Sequence, residues 1–352
     1  MCCSWCDDSA EYVGLYRIAP IIGISRLLGF PDQLKLREKV NKGELFGPTI
    51  YTAGPILEGK PKSHPFMTEV KAVKKAEKLV VEQKEKGYDF IKVYDNLSTD
   101  IYNAIVKTAK QYGMPVKGHV PKDVGIDSVL VSGQVSIEHL TGYIDPDAAE
   151  FIIPEQKIEY YAQKTQEAGI WNCPTIVVWQ KIVPIERIEE MEKHPGMRFM
   201  SRIGRIFLRK SVKEMNKNIS YEGEDYTARI TEIYYKMVKA LQDADAKLLL
   251  GSDTGNPFVF PGYSLHEELQ NLVNAGLTPY EALITGTRNA AESLNKSDEF
   301  GTVELGKRAD LILVEGNPLK DIANVNRRVG VMLRGLWFPE TKLRKMLDDL
   351  AD

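Results

Sequence analysis

The sequence predicts an α/β chain: a (β/α)8 barrel of the TIM type that lacks its first strand, with remnants of a small β-sandwich at the C-terminal end. Three observations predict this. Short apolar runs alternate with amphipathic stretches almost throughout, and repeated βα units imply parallel strands, which need crossovers. Several apolar runs end abruptly in a residue able to do chemistry, as strand ends at a barrel mouth do. The chain's 352 residues, 43% hydrophobic and 27% charged, are ample for one large core. A doubly wound open sheet is the competing architecture. It would want a Gly-rich phosphate loop after its first strand, and none is present.

Taken in order, Ile21 to Leu28 is an apolar run closed by Gly29, and Phe30 to Asn41 reads as a helix. Thr49 to Ala53 is a short strand stopped by Gly54-Pro55. Thr68 to Lys86 is amphipathic, with Val70, Val73, Leu79 and Val80 on one side, and Gly87 ends it. Tyr88 to Tyr94 is a strand holding one lysine, Lys92. Ser98 is an expected N-cap for a helix from Thr99 to Tyr112. Met114 to His119 and Val135 to His139 are strands that end in histidine, flanking a short helix from Asp123 to Val131.

Asp145-Pro146 opens a helical region running to Ala168. Ile170 to Trp179 is expected to hold a strand that begins or bends near Pro174. Residues 183–245 are long and charged, as an extra helix or a lid would be. Lys247 to Asp253 is the seventh strand, and helices from Ser264 to Ala275 and Thr278 to Leu294 follow. The expected organisation is an irregular stretch over 1–20, the barrel over 21–300, β-sandwich strands over 301–338 and a closing helix over 339–352.

The net charge of −3 gives no reason to expect nucleic acid or an anionic membrane as a partner. No apolar run of about 18 residues appears. The four cysteines form no disulfide framework, so a reducing, cytoplasmic setting is the default expectation. Cys2, Cys3 and Cys6 match no zinc-knuckle spacing. Self-association is left open.

Lys92, His119, His139 and Asp253 are the candidate site. Each alone has a bland reading. A strand-end histidine is usually structural, a lysine in an apolar strand snorkels to water, and Gly-Ser-Asp is often a turn. Together, at the ends of four strands, they look like a metal site. Histidine nitrogens and carboxylate oxygens suit zinc with an open position for water. An amine buried in an apolar strand loses part of its preference for charge. The neutral amine can react with carbon dioxide to give a carbamate, an anionic oxygen ligand able to bridge two metals. Of the other histidines, His64 and His194 read as solvated loop residues, and His266 as a helix-start residue within reach of the site. Tyr94, Tyr143 and Tyr221 fall in or near loops that reach the mouth, where packing or surface roles are the commoner outcome.

These residues sit in segments that resemble the amidohydrolase superfamily, within it the imidazolonepropionase-like and metal-dependent Xaa-Pro or Xaa-Arg dipeptidase-like group. The matching pieces are Asp89-Phe90-Ile91-Lys92, Gly118-His119-Val120, Ile137-Glu138-His139-Leu140 and Gly251-Ser252-Asp253-Thr254. Leu277 to Leu283 and Gly301 to Leu311 also fit. The resemblance implies one or two divalent metals, typically Zn2+, with a carbamate on Lys92. His119 and His139 would bind the more exposed metal. Asp253 would bind the buried one and act as general acid and base. It implies hydrolysis of C–N bonds in small molecules or dipeptides by metal-activated water.

The resemblance also implies a His-x-His pair at the end of the first strand, yet no histidine precedes His64. Met1 to Trp5 occupies roughly that place. The leading expectation is a truncated start, with poor stability or activity as its consequence. Loss of the buried metal in a naturally short chain, or replacement by Cys2 or Ser4, are the alternatives. A decayed barrel acting as a binding protein, and a mononuclear deaminase, are the competing functions.

Overall fold

The computed structural model describes residues 23–26, 29–64, 66–144, 153–181, 187–216 and 226–351. The irregular stretch expected over 1–20, with its three cysteines, lies outside them. So do Tyr221, the Asp145-Pro146 helix start and parts of 183–245. Two compact units emerge, one from Gly23–Pro174 with Ala240–Leu248, the other from Thr175–Lys239 with Leu249–Asp352.

In the first unit, β1 (Gly23–Arg26) pairs in parallel with β2 (Thr49–Thr52). A six-stranded parallel sheet contains β3 (Leu57–Glu58), β4 (Thr68–Glu69), β5 (Ile91–Val93), β6 (Val116–Gly118), β7 (Ser136–Glu138) and β8 (Trp171–Cys173). Its order is β4-β3-β5-β6-β7-β8, and β3 to β8 are all parallel to their neighbours. Single parallel bridges continue the pattern, Ala53 to Phe90 and Asn172 to Leu248. The seventh expected strand is thus reduced to one bridge at Leu248.

Every residue of β5, β6, β7 and β8 is buried. Parallel strands covered on both faces have this character, and it extends here to polar members, since Lys92, Lys117, Ser136, Glu138 and Asn172 are buried with the rest. The covering helices show the matching stripe. Helix α1 (Pro31–Asn41) and α2 (Val73–Glu85) come first, then α3 (Thr99–Gln111), which buries Ile101, Tyr102, Ile105, Val106 and Ala109. That spacing is one face of a 3.6-residue period. Ser98 holds the N-cap position of α3 but its side chain makes no capping bond. Gly113, at φ 63°, turns the chain out of this helix in the left-handed region that glycine tolerates.

The expected strand over Ile170 to Trp179 is shorter in the structure. β8 stops at Cys173, and Ile176–Gln180 forms a helix, α4. Pro174 has no N–H with which to continue a ladder, so it ends the strand. The expected helix from Thr278 to Leu294 splits into α5 (Pro279–Thr285) and α6 (Arg288–Ser293). Thr278 and Glu281 cap the first of these reciprocally, in a capping box.

In the second unit, β9 (Leu311–Val314), β10 (Arg328–Leu333) and β11 (Leu336–Pro339) form an antiparallel sheet in the order β11-β10-β9. A 3-10 turn at Ile322–Asn326 interrupts it, and a helix over Glu340–Asp348 follows. Among the described residues, no helix is long and apolar enough to cross a membrane.

Candidate active site

Three of the four residues singled out by sequence come together in the first unit. Lys92 lies in β5 and His119 directly follows β6, where its N–H donates to the Val93 carbonyl at 3.1 Å. His139 directly follows β7, and its N–H donates to the Cys173 carbonyl at 2.8 Å. The parallel register Lys92 to Lys117 and Val93 to Gly118 sets His119 one step beyond the end of β5. That close approach requires glycine at 118, since a Cβ there would lie 2.2 Å from the Val93 carbonyl oxygen.

The His119 and His139 rings meet edge to face with centroids 5.0 Å apart. Tyr94 stacks on His119 with centroids 3.9 Å apart, and the Lys92 side-chain nitrogen lies 6.0 Å from the Tyr94 ring. Lys92, His119 and His139 are 0%, 5% and 7% exposed, so water cannot solvate their polar atoms freely. Lys92 Nζ and His119 Nε2 are buried without any hydrogen-bond partner. Native interiors satisfy nearly all such atoms, so an orphaned pair on neighbouring strands calls for a physical reason.

His119 Nδ1 is 2.7 Å from Asp95 Oδ1. A carboxylate there accepts a hydrogen bond from Nδ1–H, which leaves Nε2 with its lone pair. Burial, reinforced by the Lys92 charge and opposed by Asp95, pushes the His119 pKa down to about 4. Burial, then the neighbouring His119 and Lys92 charges, holds His139 well below the usual imidazole range. Both rings are therefore neutral at pH 7, as metal donors must be.

The Asp95 loop is itself anchored. Glu58, fully buried, accepts the Asn96 N–H and the Gly59 N–H at 2.8 Å and the Ser63 hydroxyl at 2.9 Å. Sequence reading missed Asp95 and Glu58. Asp95 follows the Lys92 strand by three residues, and that position was the available signal. Lys117 was missed as well. It is 4% exposed, lies 4.9 Å from the Phe90 ring centroid, and burial lowers its pKa against the pull of Glu138.

His139 and Leu140 adopt φ of 59° and 52°, and in the other unit Asp253 adopts 49°. Non-glycine residues held there cost about 1–3 kcal/mol each and cluster at functional sites. Asp253 belongs to the second unit. Its Oδ2 accepts from Asn256 Nδ2 at 2.7 Å, within a turn of the Gly251 to Asn256 segment. Among the described residues, no three His, Cys, Asp or Glu side chains gather as a metal-binding group. The donor set in the first unit is two imidazoles and an amine.

Other expected participants sit elsewhere. Tyr143 is buried, its hydroxyl bonded to Thr165 at 2.8 Å, so it packs. His64 is only partly exposed and stacks on Phe66. His194 stacks on Phe260, and its Nδ1 accepts the Gly196 N–H. Neither loop histidine is solvated as expected, because aromatic neighbours invisible in the local sequence cover both.

The sequence profile of the Amidohydrolase family matches residues 31–337. This chain belongs to the amidohydrolase family. Its parallel βα units carry the α/β barrel fold of that family, whose members generally bind divalent metals. Among solved structures, this family member resembles a bottromycin amidohydrolase with a TM-score of 0.76 and 24% identity, over 97% of this chain and 76% of the other. A Xaa-Pro dipeptidase with bound methionine matches with a TM-score of 0.67 and 20% identity, over 94% and 77%. An imidazolonepropionase of Geobacillus sp. (strain WCH70) is 29% identical over 144 residues, 38% of this chain. That stretch spans 34% of the relative's length. A 5'-deoxyadenosine deaminase of Methanobrevibacter smithii is 50% identical over 48 residues, 13% of this chain and 11% of the relative.

Proposed function

We propose that this amidohydrolase-family chain is a metal-dependent hydrolase of amide or peptide C–N bonds in small molecules or dipeptides. The observation that carries the proposal is the pair of orphaned buried donors, Lys92 Nζ and His119 Nε2, beside His139. Two neutral imidazoles and one anionic oxygen suit Zn2+. Lys92 supplies that oxygen once its amine adds carbon dioxide, forming an N–C bond and releasing a proton. When bound, the metal contributes Lewis acidity and a water poised for attack near neutral pH. Asp95 holds the His119 ring in the tautomer that presents Nε2. Asp253 takes a proton at its carboxylate and returns it to the departing amine nitrogen. Support for that role comes from the Gly251-Ser252-Asp253-Thr254 resemblance and the left-handed backbone at Asp253.

The named relatives suggest substrates. Xaa-Pro dipeptides and cyclic amides are the first to try, with Zn2+ and bicarbonate supplied and with chelator as the control. Hydrolysis that needs both additions supports the proposal. Folded protein that takes up no metal and cleaves no C–N bond leaves the non-catalytic, ligand-binding barrel in its place. The short deaminase match favours a second reading, tested by ammonia release from 5'-deoxyadenosine. The burial of Lys92 weighs against it, because a single-metal deaminase has no use for a carbamate.

Asp95→Ala should keep the fold and lower metal affinity by about 10–100-fold, the usual effect of removing a partner that orients a ligating histidine. Metal content after dialysis against limiting zinc measures this. An unchanged content would mean that Asp95 does not orient a ligand.

A further inference from the structure

The second unit contains a cavity of about 320 Å³, a volume at the lower end of small-ligand pockets. Helix α7 (Tyr263–Asn274) forms one wall and the 3-10 turn Ile322–Asn326 another. His194 completes the lining. Tyr263, Gln270 and Asn326 bring hydroxyl and amide groups to the lining, and Glu267 and His266 bring the polar atoms that lack a hydrogen-bond partner. Glu267 Oε1 is engaged by Lys181 Nζ at 2.8 Å and approached by His194 Nε2 at 3.4 Å. Glu267 Oε2 is buried and has no hydrogen-bond partner. Both ring nitrogens of the adjacent His266 are likewise buried and unpartnered.

Charge decides what would satisfy these atoms. Burial alone would raise the Glu267 pKa, but His194 and Lys181 overcome it and bring it down to about 2, so the group is a carboxylate at neutral pH. Burial and the Arg328 charge hold His266 down at about 4, so its ring is neutral and offers one lone pair. Arg328 is itself 3.6 Å from Glu340. An anion would face a carboxylate with a free lobe. A donor-rich cation would meet that lobe and the imidazole lone pair together. Ile322, Ala323 and the Tyr263 ring supply an apolar wall for a short aliphatic body.

The geometry points to a binding site for a small primary ammonium in this cavity, its N–H groups donating to Glu267 Oε2 and His266 and its alkyl chain lying against Ile322 and Ala323. The site draws only on residues of the second unit and does not depend on the proposed hydrolysis.

Calorimetric titration of the full chain with n-butylammonium tests it, with 1-butanol and butyrate as the neutral and anionic counterparts. Saturable binding of n-butylammonium alone is expected. Glu267→Gln should weaken it at least ten-fold. Ala323→Leu, at an exposed residue on the rim, should abolish it by filling the cavity while leaving circular dichroism unchanged. No saturable binding, equal binding of 1-butanol or butyrate, or full affinity in Ala323→Leu would overturn the proposal. If Glu267→Gln fails to fold, the three-ligand comparison and Ala323→Leu decide the matter.

Discussion

Lys92→Met is expected to abolish metal uptake and, at the same time, to stabilise the metal-free protein. The side chain is completely buried and its amine has no hydrogen-bond partner. An unsatisfied buried polar group costs about 1–3 kcal/mol, and methionine of similar length removes that cost without opening a large cavity. Denaturant midpoints of metal-free wild type and variant should therefore differ in the variant's favour. The metal result should go the other way. Removing a supporting residue costs up to about 100-fold in affinity, so losing a direct donor should exceed that. Wild-type uptake should also depend on bicarbonate, and the variant's should not. A variant that keeps its zinc, or that loses several kcal/mol of stability, would make Lys92 a structural residue and remove the carbamate from the mechanism.

The second large effect is at Glu268, a residue outside the candidate site. It is fully buried, and its two carboxylate oxygens accept the N–H groups of Ile176 and Val177 at 2.8 Å each. These are the first two amides of α4, which has no side-chain cap at Thr175. Glu268→Ala strands both amides in the interior and should cost about 2–6 kcal/mol at about 1–3 kcal/mol for each. Loss of under 1 kcal/mol would mean that other groups satisfy α4.

A pH signature accompanies it. Burial pushes the Glu268 pKa from 4.5 up to about 7, against the lowering effect of the two amides and Asn271. The folded state then holds the proton more tightly than the unfolded chain. Its contribution to stability is complete below about pH 4.5 and falls as the pH rises towards 7, by about 3 kcal/mol. Glu268→Gln cannot titrate, so its unfolding midpoint should lack this decline between pH 5 and 7.5. Parallel pH profiles for the two proteins would refute the assignment.

Much of the site was legible because strand ends announce themselves locally. An apolar run that stops at His119 or His139 needs only a few residues to be recognised, and the glycine before His119 is part of the same signal. Asp95 was not legible in the same way. Its partner lies 24 residues on, and the contact exists only because β5 and β6 pair in parallel at one register. Lys92 and Lys117 show the same limit. Both are lysines in apolar strands, and both are buried. Only packing separates them, since Lys117 rests on Phe90 and feels Glu138, whereas Lys92 has no hydrogen-bond partner.

The histidines of the second unit make the point from the other side. His194 sits in Glu-Lys-His-Pro and reads as solvated, yet Phe260 and Glu267, far along the chain, enclose it. By itself, the sequence determined the alternation of strands and helices, the family and the identity of the residues able to do chemistry, because periodicity and turn residues act over about ten positions. Tertiary structure alone decided which of those residues lost their water, which found a partner and which were left without one. Burial and hydrogen bonding are settled by segments that meet only after the chain has folded.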